Sequence, residues 1–280
     1  MCIRDSINAK DRVIRRYIRN KRLFIALLND QKQAIIDRAV TRGVDENVET
    51  VALDHDYIRE APRHWAIQKL KQIAQFNPPK AEFIHINNMP ECVVFLPMER
   101  VSAGGSVDCS ELRPVDDVLN GYTYFRRGDV VIAKITPCFE NGKGACLDHL
   151  TTEFGFGTTE FIVLRASARV LPRFLYLLTR IRGFRLRGEE QMSGAAGQKR
   201  VPTEFVKNYL VALPPLDEQH RIISQIQEIG SKFDVTIDRV RREINLMREY
   251  RTRLIADLVT GKLDVRHVPP DALTTLDAVS

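Results

Sequence analysis

Two stretches of the chain, 219 positions apart, carry the same heptad stripe of mostly apolar residues. An ungapped comparison of residues 14–45 with residues 233–264 finds eight identities in 32 positions. Each stripe advances in alternating steps of four and three, and a seam of this kind needs a partner helix. Two seams in one register favour pairing of the two helices with each other over burial of each against a globular core. The predicted pairing residues are Ile14, Ile18, Ile25, Leu28, Ile35, Phe233, Ile237, Val240, Ile244, Met247, Leu254 and Leu258, within the stripes Ile14–Ala39 and Phe233–Leu258.

Helix-breaking residues mark the ends of both predicted helices. Residues 5–42 contain no Gly or Pro, and Gly43 follows as a C-terminal cap. The phrase LPPLDEQ marks the entrance of the second helix, because proline is excluded from a helix interior and carboxylates suit the positive N-terminal end. This helix is predicted to reach about Thr260 and to stop at the glycine that follows, with an interruption at Gly230 left open.

The segment between the two helices has a different residue pattern. Residues 46–64 are polar and carry Pro62, which predicts a connector. From Trp65 to Leu213, β-rich runs such as CVVFLPM, YTYF, DVVIAKI and EFIVLRA alternate with Gly, Asn and Pro turns, and one helical segment is expected over 171–187. The predicted fold class is α+β, one mixed α/β domain flanked by two long helices. The predicted divisions are a first helix 1–45, a linker 46–64, the globular domain 65–213, a second helix 214–265 and a loose tail 266–280.

The offset between the stripes has a consequence for how the chain starts. If the repeat unit is 219 residues long, residue 1 corresponds to position 220, just inside the second helix. The chain then begins in mid-repeat, and another globular domain would be expected to precede it. The expectation is a truncated gene product or a natural half-length form.

Composition excludes several classes of protein. The sequence contains no run of 18 apolar residues, so no membrane span is predicted. The first ten residues, MCIRDSINAK, have no secretory-signal pattern. The five cysteines form no C-x-x-C pair and, with six scattered histidines, offer no zinc spacing. We therefore expect a reduced, cytoplasmic protein without a metal site.

Basic residues are concentrated in one part of the globular segment. The whole chain has a net charge of +6, whereas residues 165–200 alone carry nine basic residues against Glu189 and Glu190, a net charge of +7. Such a density suits a phosphate-binding face, because each neutralised phosphate releases counterions. A solvated helix surface is the alternative.

The motifs typical of enzymes are incomplete. NPPK at 77–80 resembles the N-P-P-aromatic motif of amino-methyltransferases, but a lysine replaces the aromatic ring. FGFG at 154–157 leads into a predicted strand rather than the helix that a cofactor turn should open. No P-loop occurs, Asp129 and Lys134 lack a second carboxylate for a nuclease, and Ser193 lacks a G-x-S-x-G context. The chain is expected to catalyse nothing.

Two glycine-containing loops are better suited to binding. The loop Thr136–Gly144 presents Asn141 and Lys143, and the loop Met192–Arg200 ends in Gln198, Lys199 and Arg200. Glutamine and asparagine can pair with adenine, and arginine or lysine with guanine. A plain surface loop is the alternative for each. The candidate DNA-binding residues are Lys134, Thr136, Asn141, Lys143, Thr158, Thr159, Arg182, Arg185, Arg187, Gln198, Lys199 and Arg200.

Taken together, these phrases resemble the specificity subunits of type I restriction-modification systems. The resemblance is carried by QKQAIIDRAVTRGVD, APRHW, KITPCFENGKGA, GFGTTEF, MSGAAGQKRVP, LPPLDEQHRII and RTRLIADLVTGKLDV, in this order over nearly the whole chain. It implies two recognition domains that alternate with two antiparallel spacer helices in a full subunit. Trp65–Leu213 would be the second recognition domain, and the two long helices the central and C-terminal conserved regions.

The resemblance also implies partners and cofactors. The domain would read half of a bipartite site in double-stranded DNA, and the helices would dock modification subunits. Those subunits carry S-adenosylmethionine, a motor subunit uses ATP, and Mg also belongs to partner subunits. No cofactor is therefore expected in this chain, and no membrane contact either. One domain leaves a half-site unread unless two half-length chains self-associate.

Three hypotheses therefore stand at this stage. In the leading one, a non-catalytic DNA-reading subunit, Gln198 or Lys143 would set the sequence read, whereas Arg185 or Arg187 would contribute affinity to every sequence. A stand-alone adenine methyltransferase and a coiled-coil scaffold whose globular domain binds protein are the alternatives.

Overall fold

The computed structural model describes residues 3–45, 47–55, 57–84, 89–195, 197–260 and 262. The helices are α1 (Ile3–Arg42), α2 (Leu70–Ile73), α3 (Ala81–Ile84), α4 (Val115–Val118), α5 (Pro172–Arg180), α6 (Arg182–Glu190), α7 (Thr203–Asn208) and α8 (Leu216–Val259). The strands are β1 (Thr50–Ala52), β2 (Glu60–Pro62), β3 (Ala66–Lys69), β4 (Ala74–Phe76), β5 (Cys92–Leu96), β6 (Leu112–Pro114), β7 (Thr123–Arg126), β8 (Val130–Ala133), β9 (Gly144–Cys146), β10 (Phe154–Gly157), β11 (Phe161–Ala166) and β12 (Leu210–Leu213).

The described residues fall into two compact units. One, the helical unit, draws on Met1–Lys32 and Glu228–Ser280, and the other, the globular unit, on Gln33–Gln227. The globular unit thus takes in residues on both sides of the predicted domain 65–213. The division of the chain into spacer helices, linker and recognition domain stays a prediction.

In the helical unit, α1 and α8 pair with each other and run antiparallel. Residue numbers increase along α1 as the numbers of their partners on α8 decrease. The cross-helix ion pairs are Asp11–Arg251, Lys21–Glu243 (2.8 Å) and Lys32–Asp234 (2.7 Å). Three basic residues interrupt the heptad stripes, Lys21, Lys32 and Arg251, and each meets an acidic residue of the other helix.

Apolar residues of the two stripes form the core of this pair. Ile14, Ile18, Val240, Ile244 and Leu254 are buried together, with Ile25 and Met247 packed against them. Ile237 is also buried, and Leu28 and Phe233 are half-buried. The side chain of Leu258 lies outside the described residues.

The end of the first stripe packs into the core of the globular unit. Ile35 and Ala39 belong to the globular unit, and Ala39 is buried in its core with Val40 and Trp65. The same core contains Ile222 and Ile226 of α8, and a Cβ on Gly43 would lie 3.0 Å from a carboxylate oxygen of Glu218, so α1 still lies beside α8 here. These α8 residues precede the predicted stripe Phe233–Leu258, so the two predicted stripes face each other over only part of their length.

The ends of the long helices follow the predicted signals. Gly43 has a φ of 80° and its N–H donates to the carbonyl of Ala39 at 3.1 Å, which confirms the cap. The N–H groups of Glu218 and Gln219 donate to the carbonyl of Pro215, both at 3.0 Å, so α8 begins at the predicted entrance. The interruption left open at Gly230 does not occur, since α8 is continuous through it.

Two four-stranded sheets form the globular unit, in the orders β6-β5-β10-β7 and β4-β11-β8-β9. The strands β5 and β10 are parallel, and the other pairs are antiparallel. The two-stranded pairs β1-β2 and β12-β3 complete the unit. The four β-rich runs quoted above are confirmed as β5, β7, β8 and β11.

The FGFG segment is the strand β10 itself. A Cβ on Gly155 would lie 2.9 Å from the carbonyl oxygen of Val94, and one on Gly157 would lie 2.6 Å from that of Leu96. The glycines therefore allow close approach of two parallel strands. They do not form a turn that could hold a cofactor.

Two other predictions need correction. The expected connector 46–64 contains the antiparallel pair β1-β2. The single helix expected over 171–187 is two helices, α5 and α6, separated by Ile181 in an extended conformation. The buried residues Leu178 and Phe184 are six positions apart, which does not fit the helical repeat, and the break brings both onto the core.

Candidate nucleic-acid interface

The two loops predicted to bind DNA lie side by side. The N–H of Thr136 donates to the carbonyl of Lys199 at 2.9 Å, and the N–H of Lys199 donates to the Thr136 hydroxyl at 3.1 Å. The same hydroxyl donates to the carbonyl of Gly197 at 2.8 Å. Thr136 therefore holds the loops together, and its hydroxyl is used within the protein.

Arg200 is fixed at this junction by both backbone and side chain. Its backbone pairs with Ile135 on one side and with Ser193 on the other. Its guanidinium donates from Nε and Nη2 to the two carboxylate oxygens of Glu160, at 2.9 and 2.7 Å. The Glu160 carbonyl in turn accepts from the N–H of Lys134 at 2.9 Å.

We call the eight polar residues of this region the loop-junction surface. Lys199, Arg200, Gln198 and Thr159 are exposed, and Lys134 and Thr158 are half-exposed. The Thr158 hydroxyl accepts from the N–H of Glu160 at 3.2 Å and so shapes the turn before β11. The members are Lys134, Thr136, Thr158, Thr159, Glu160, Gln198, Lys199 and Arg200.

The carboxylate in this basic surface is stabilised in its charged form. The hydrogen bond from Arg200 lowers the pKa of Glu160, and the charges of Arg200 and Lys134 act in the same direction. Glu160 therefore stays ionised at neutral pH. The Arg200–Glu160 pair as a whole carries no net charge there.

Asn141 and Lys143, at the far end of the first loop, have other neighbours. Asn141 is exposed, whereas the Lys143 ammonium donates to the carbonyl of Met98 at 3.1 Å. The neighbouring Gly142 carbonyl accepts from Arg180 at 2.6 Å. These contacts do not bring Lys143 to the loop-junction surface.

The dense basic run at 165–200 is largely neutralised or bonded within the protein. Arg165 donates to the buried carboxylate of Asp129 at 2.8 Å and pairs with Glu82 at 2.5 Å, and its side chain is only 13% exposed. The other bonded members are Arg169 with the carbonyl of Gln72, Arg173 with Asp148, Arg180 with the carbonyls of Ala103 and Gly142, and Arg187 with Glu190. The net charge of +7 along the sequence is therefore not a free cationic face.

Two of the predicted arginines on α6 differ in their surroundings. Arg182 is exposed, and its backbone N–H donates to Asp37 at 3.1 Å. Arg185 is half-buried; desolvation and the nearby charge of Arg180 lower its pKa, and its Nε has no hydrogen-bond partner among the described residues. Arg182 is therefore the better placed of the two to meet a phosphate.

The residues considered for catalysis have structural contacts. The ammonium of Lys80, in NPPK, donates to the carbonyl of Leu119 at 2.6 Å, and the amide oxygen of Asn77 accepts from the N–H of Val163 at 2.9 Å. The Asp129 carboxylate accepts from the Arg165 guanidinium at 2.8 Å. Within the described ranges, no group of three His, Cys, Asp or Glu could hold a metal ion, and no helix could cross a membrane.

A cavity of about 450 Å³ lies elsewhere in the globular unit. Val107, Leu147, Leu177, Ile223 and Ile226 are among its lining residues, so its wall is mainly apolar. None of the predicted DNA-binding residues lines it. It does not add to the loop-junction surface.

Sequence reasoning missed Glu160 as a member of this surface. The residue stands in GFGTTEF, 40 positions from Arg200 along the chain. The signal that the sequence offered for Glu160 was a single acidic residue just before a predicted strand. A pairing over that distance cannot be read from local spacing.

Comparisons with known proteins agree on one family. Residues 62–245 match the model described as the type I restriction modification DNA specificity domain. The chain is 40% identical over 178 residues to the type I restriction enzyme EcoAI specificity subunit of Escherichia coli, covering 62% of this chain and 29% of that protein. It is 37% identical over 174 residues to the EcoEI specificity subunit of the same organism, covering 61% and 28%. The chain therefore spans well under two thirds of the length of these relatives.

The fold is also shared with a solved structure. That structure concerns complex assembly and conformational transition of the type I R-M system, and the likeness has a TM-score of 0.61 at 12% sequence identity. It covers 91% of this chain and 57% of the other. At this identity the likeness shows a common fold.

Proposed function

The chain belongs to the family of type I restriction modification DNA specificity domains, and we propose that it recognises a DNA sequence for a type I restriction-modification complex. In this role the chain has no catalytic step of its own. Adenine methylation with S-adenosylmethionine, and cleavage driven by ATP with Mg, would belong to partner subunits. The family membership and the structural contacts of the residues once considered for catalysis support this proposal.

The loop-junction surface is the observation that carries the proposal. It places an amide, an ammonium and a guanidinium, those of Gln198, Lys199 and Arg200, on consecutive exposed residues. The loop that bears them is tied through Thr136 to a second loop, so the donors are held on a defined backbone. Fixed donors of these types are what base edges and phosphates require in the major groove.

The residues of this surface would divide the work. Lys199 and Lys134 would neutralise backbone phosphates, which adds salt-dependent affinity for every sequence. Gln198 would accept from and donate to an adenine edge. Lys143, whose ammonium contacts Met98, is a less direct candidate for reading a base. Arg182 would extend the phosphate contacts from α6.

The proposal is tested by selection from a pool of duplexes with a randomised central segment, using the full chain. We expect enrichment of a short sequence by the wild type. Lys199→Ala should weaken binding to all duplexes and reduce the slope of log K against log salt by about 0.9. Lys232→Ala is the matched control, since Lys232 is 71% exposed in the helical unit. A pool that emerges unchanged would contradict sequence recognition.

The same chain offers a measurement for each alternative. Binding of labelled S-adenosylmethionine to the purified chain would favour a stand-alone methyltransferase. Absence of duplex binding at every salt concentration, with capture of a protein by the globular unit, would favour a scaffold. The proposed recognition subunit should bind duplex DNA and leave the cofactor unbound.

The helical unit is proposed to dock modification subunits. Leu23, Phe24 and Leu27 of α1 are 61%, 43% and 57% exposed, and Leu246 and Tyr250 of α8 are 60% and 51% exposed. Apolar side chains at such exposure, on a pair whose core is already filled, are typical of a protein-binding surface. The restriction subunit would join through the complex, and two copies of the chain could also associate through this unit.

The place of action would be the cytoplasm. The chain would meet duplex DNA and the proposed partner subunits there. Four cysteines of the globular unit, Cys92, Cys109, Cys138 and Cys146, are free thiols, which suits a reducing compartment.

A further inference from the structure

We propose that Glu160 is a positioning residue that presents the guanidinium of Arg200 to a guanine base. The inference rests on the proposed DNA-recognition function and goes beyond it, because it assigns one base type to one side chain. It also gives a role to the one carboxylate within the loop-junction surface.

The side-on geometry of the pair leaves one edge of the guanidinium open. Glu160 engages Nε and Nη2 of Arg200, at 2.9 and 2.7 Å. The end-on edge, formed by Nη1 and the outer hydrogen of Nη2, makes no hydrogen bond with the part of the chain that the structure describes. An arginine has five N–H donors in a fixed fork, so both edges can be occupied at once.

The open edge matches the acceptors of guanine. Guanine presents O6 and N7 side by side in the major groove, and a guanidinium reaches both with two parallel N–H donors. The Arg200 side chain is 43% exposed, so part of it is accessible at the surface. No other base offers two acceptors in that arrangement in the major groove.

Both ends of the pair are held in place before any ligand arrives. The Arg200 N–H donates to the carbonyl of Ser193 at 2.8 Å, and its carbonyl accepts from Ser193 at 3.2 Å. Glu160 is held by the turn bond from its N–H to Thr158 and by its carbonyl bond to Lys134. A side chain that is already oriented loses less conformational entropy on binding.

Charge argues that Arg200 meets a base rather than a phosphate. The ion pair with Glu160 cancels most of the attraction between Arg200 and a phosphate. Contact of Arg200 with a phosphate would therefore release few counterions. Lys199, the adjacent residue, is exposed and has no carboxylate partner among the described residues, so it is the better phosphate contact. Arg200 would therefore read a base, while Lys199 beside it would contact a phosphate.

The test is the selected base preference of three variants in the full chain. Arg200→Ala should lose guanine preference at one position of the selected sequence, by about 5-fold to about 140-fold, the loss of one bidentate contact at about 1.4 kcal/mol per tenfold. Glu160→Gln should relax preference at that same position while affinity for unrelated duplexes rises, because a negative charge is removed. A merely structural role would not produce this opposite pair of effects.

Glu111→Gln provides the charge-matched control. The Glu111 carboxylate also engages Nε and Nη2 of an arginine, Arg113, at 2.9 and 2.7 Å, and it belongs to neither loop. We expect this variant to keep the preference at every position. Replacing the preferred guanine by 7-deazaguanine removes the N7 acceptor and should weaken the wild type but cause no further loss in Arg200→Ala.

The outcomes distinguish this inference from the proposed function. If the wild type selects a sequence but Arg200→Ala and Glu160→Gln preserve its preference at all positions, the pair is not a reader and the inference is wrong. The same holds if Arg200→Ala lowers affinity uniformly and reduces the salt slope as a phosphate contact would. If the wild type selects no sequence, the proposed function fails first and the inference fails with it.

Discussion

Replacing Gln219 by leucine should destabilise the globular unit strongly. Gln219 is fully buried in the first turn of α8. Its amide oxygen accepts from the N–H of Leu171 at 2.8 Å, and its amide nitrogen donates to the carbonyls of Arg169 and Pro214 at 3.0 and 2.9 Å. The side chain therefore joins the start of α8 to the segment that leads into α5.

Leucine has a similar size but leaves these three backbone groups without their partner. A net hydrogen bond contributes about 1 kcal/mol, and a buried group left unsatisfied costs about 1–3 kcal/mol. Three groups give a loss of about 3 kcal/mol in the free energy of unfolding. At a urea dependence of about 2 kcal/mol per molar, the midpoint should fall by about 1.5 M.

Trp65 provides the assay, because it is the one tryptophan of the chain and is buried in the globular unit. Its indole N–H donates to Glu218, the neighbour of Gln219, at 3.1 Å. Urea unfolding followed by tryptophan emission therefore reports this unit. Gln225→Leu, at an exposed position of α8, is the control and should change stability by no more than about 0.5 kcal/mol. Equal midpoints for the two variants would refute the reasoning.

Three further predictions concern other parts of the chain. Ile244→Ala should cost the helical unit about 2 kcal/mol or more by circular dichroism, whereas Leu246→Ala, two positions away and 60% exposed, should cost little; similar losses would contradict the seam. Because the folded pKa of Glu160 is lowered, its stabilising contribution should be complete above the unfolded value of about 4.3 and be lost as the pH falls through the folded value. Acid titration compared with Glu160→Gln checks this, and identical pH profiles would contradict it. Leu27→Glu should abolish co-elution with modification subunits while Asn20→Glu, also exposed on α1, should preserve it; retained binding by both would reject that docking surface.

The features that local spacing determines could be predicted from the sequence. The heptad stripe predicted Ile14 and Ile244 as core residues of a helix pair, because the period of a helix fixes which side chains share a face. The sequence also predicts Gly43 as a cap, because glycine readily adopts the positive φ found at helix C-termini. The burial of Ala39 in the core of the globular unit could not be predicted in this way, because that core assembles from residues far apart in the sequence.

Long-range polar contacts lay beyond the sequence pattern. The run of arginines predicted one cationic face. Arg165, however, pairs with Asp129 and Glu82, which lie 36 and 83 positions away in the sequence. Likewise, Thr136 and Lys199 are 63 positions apart, so the sequence predicted two binding loops but not that they adjoin. Residue type predicted the chemistry of the loops, while the fold decided which donors stay available.

Lysine footprinting on the full chain tests contact between the loop-junction surface and DNA most directly. The chain is treated with an acylating reagent with and without the duplex it selects, and modification is measured at each lysine by mass spectrometry. We predict protection of Lys199 and Lys134, with Lys232 of the helical unit unchanged. Equal modification of Lys199 with and without bound duplex would contradict the account.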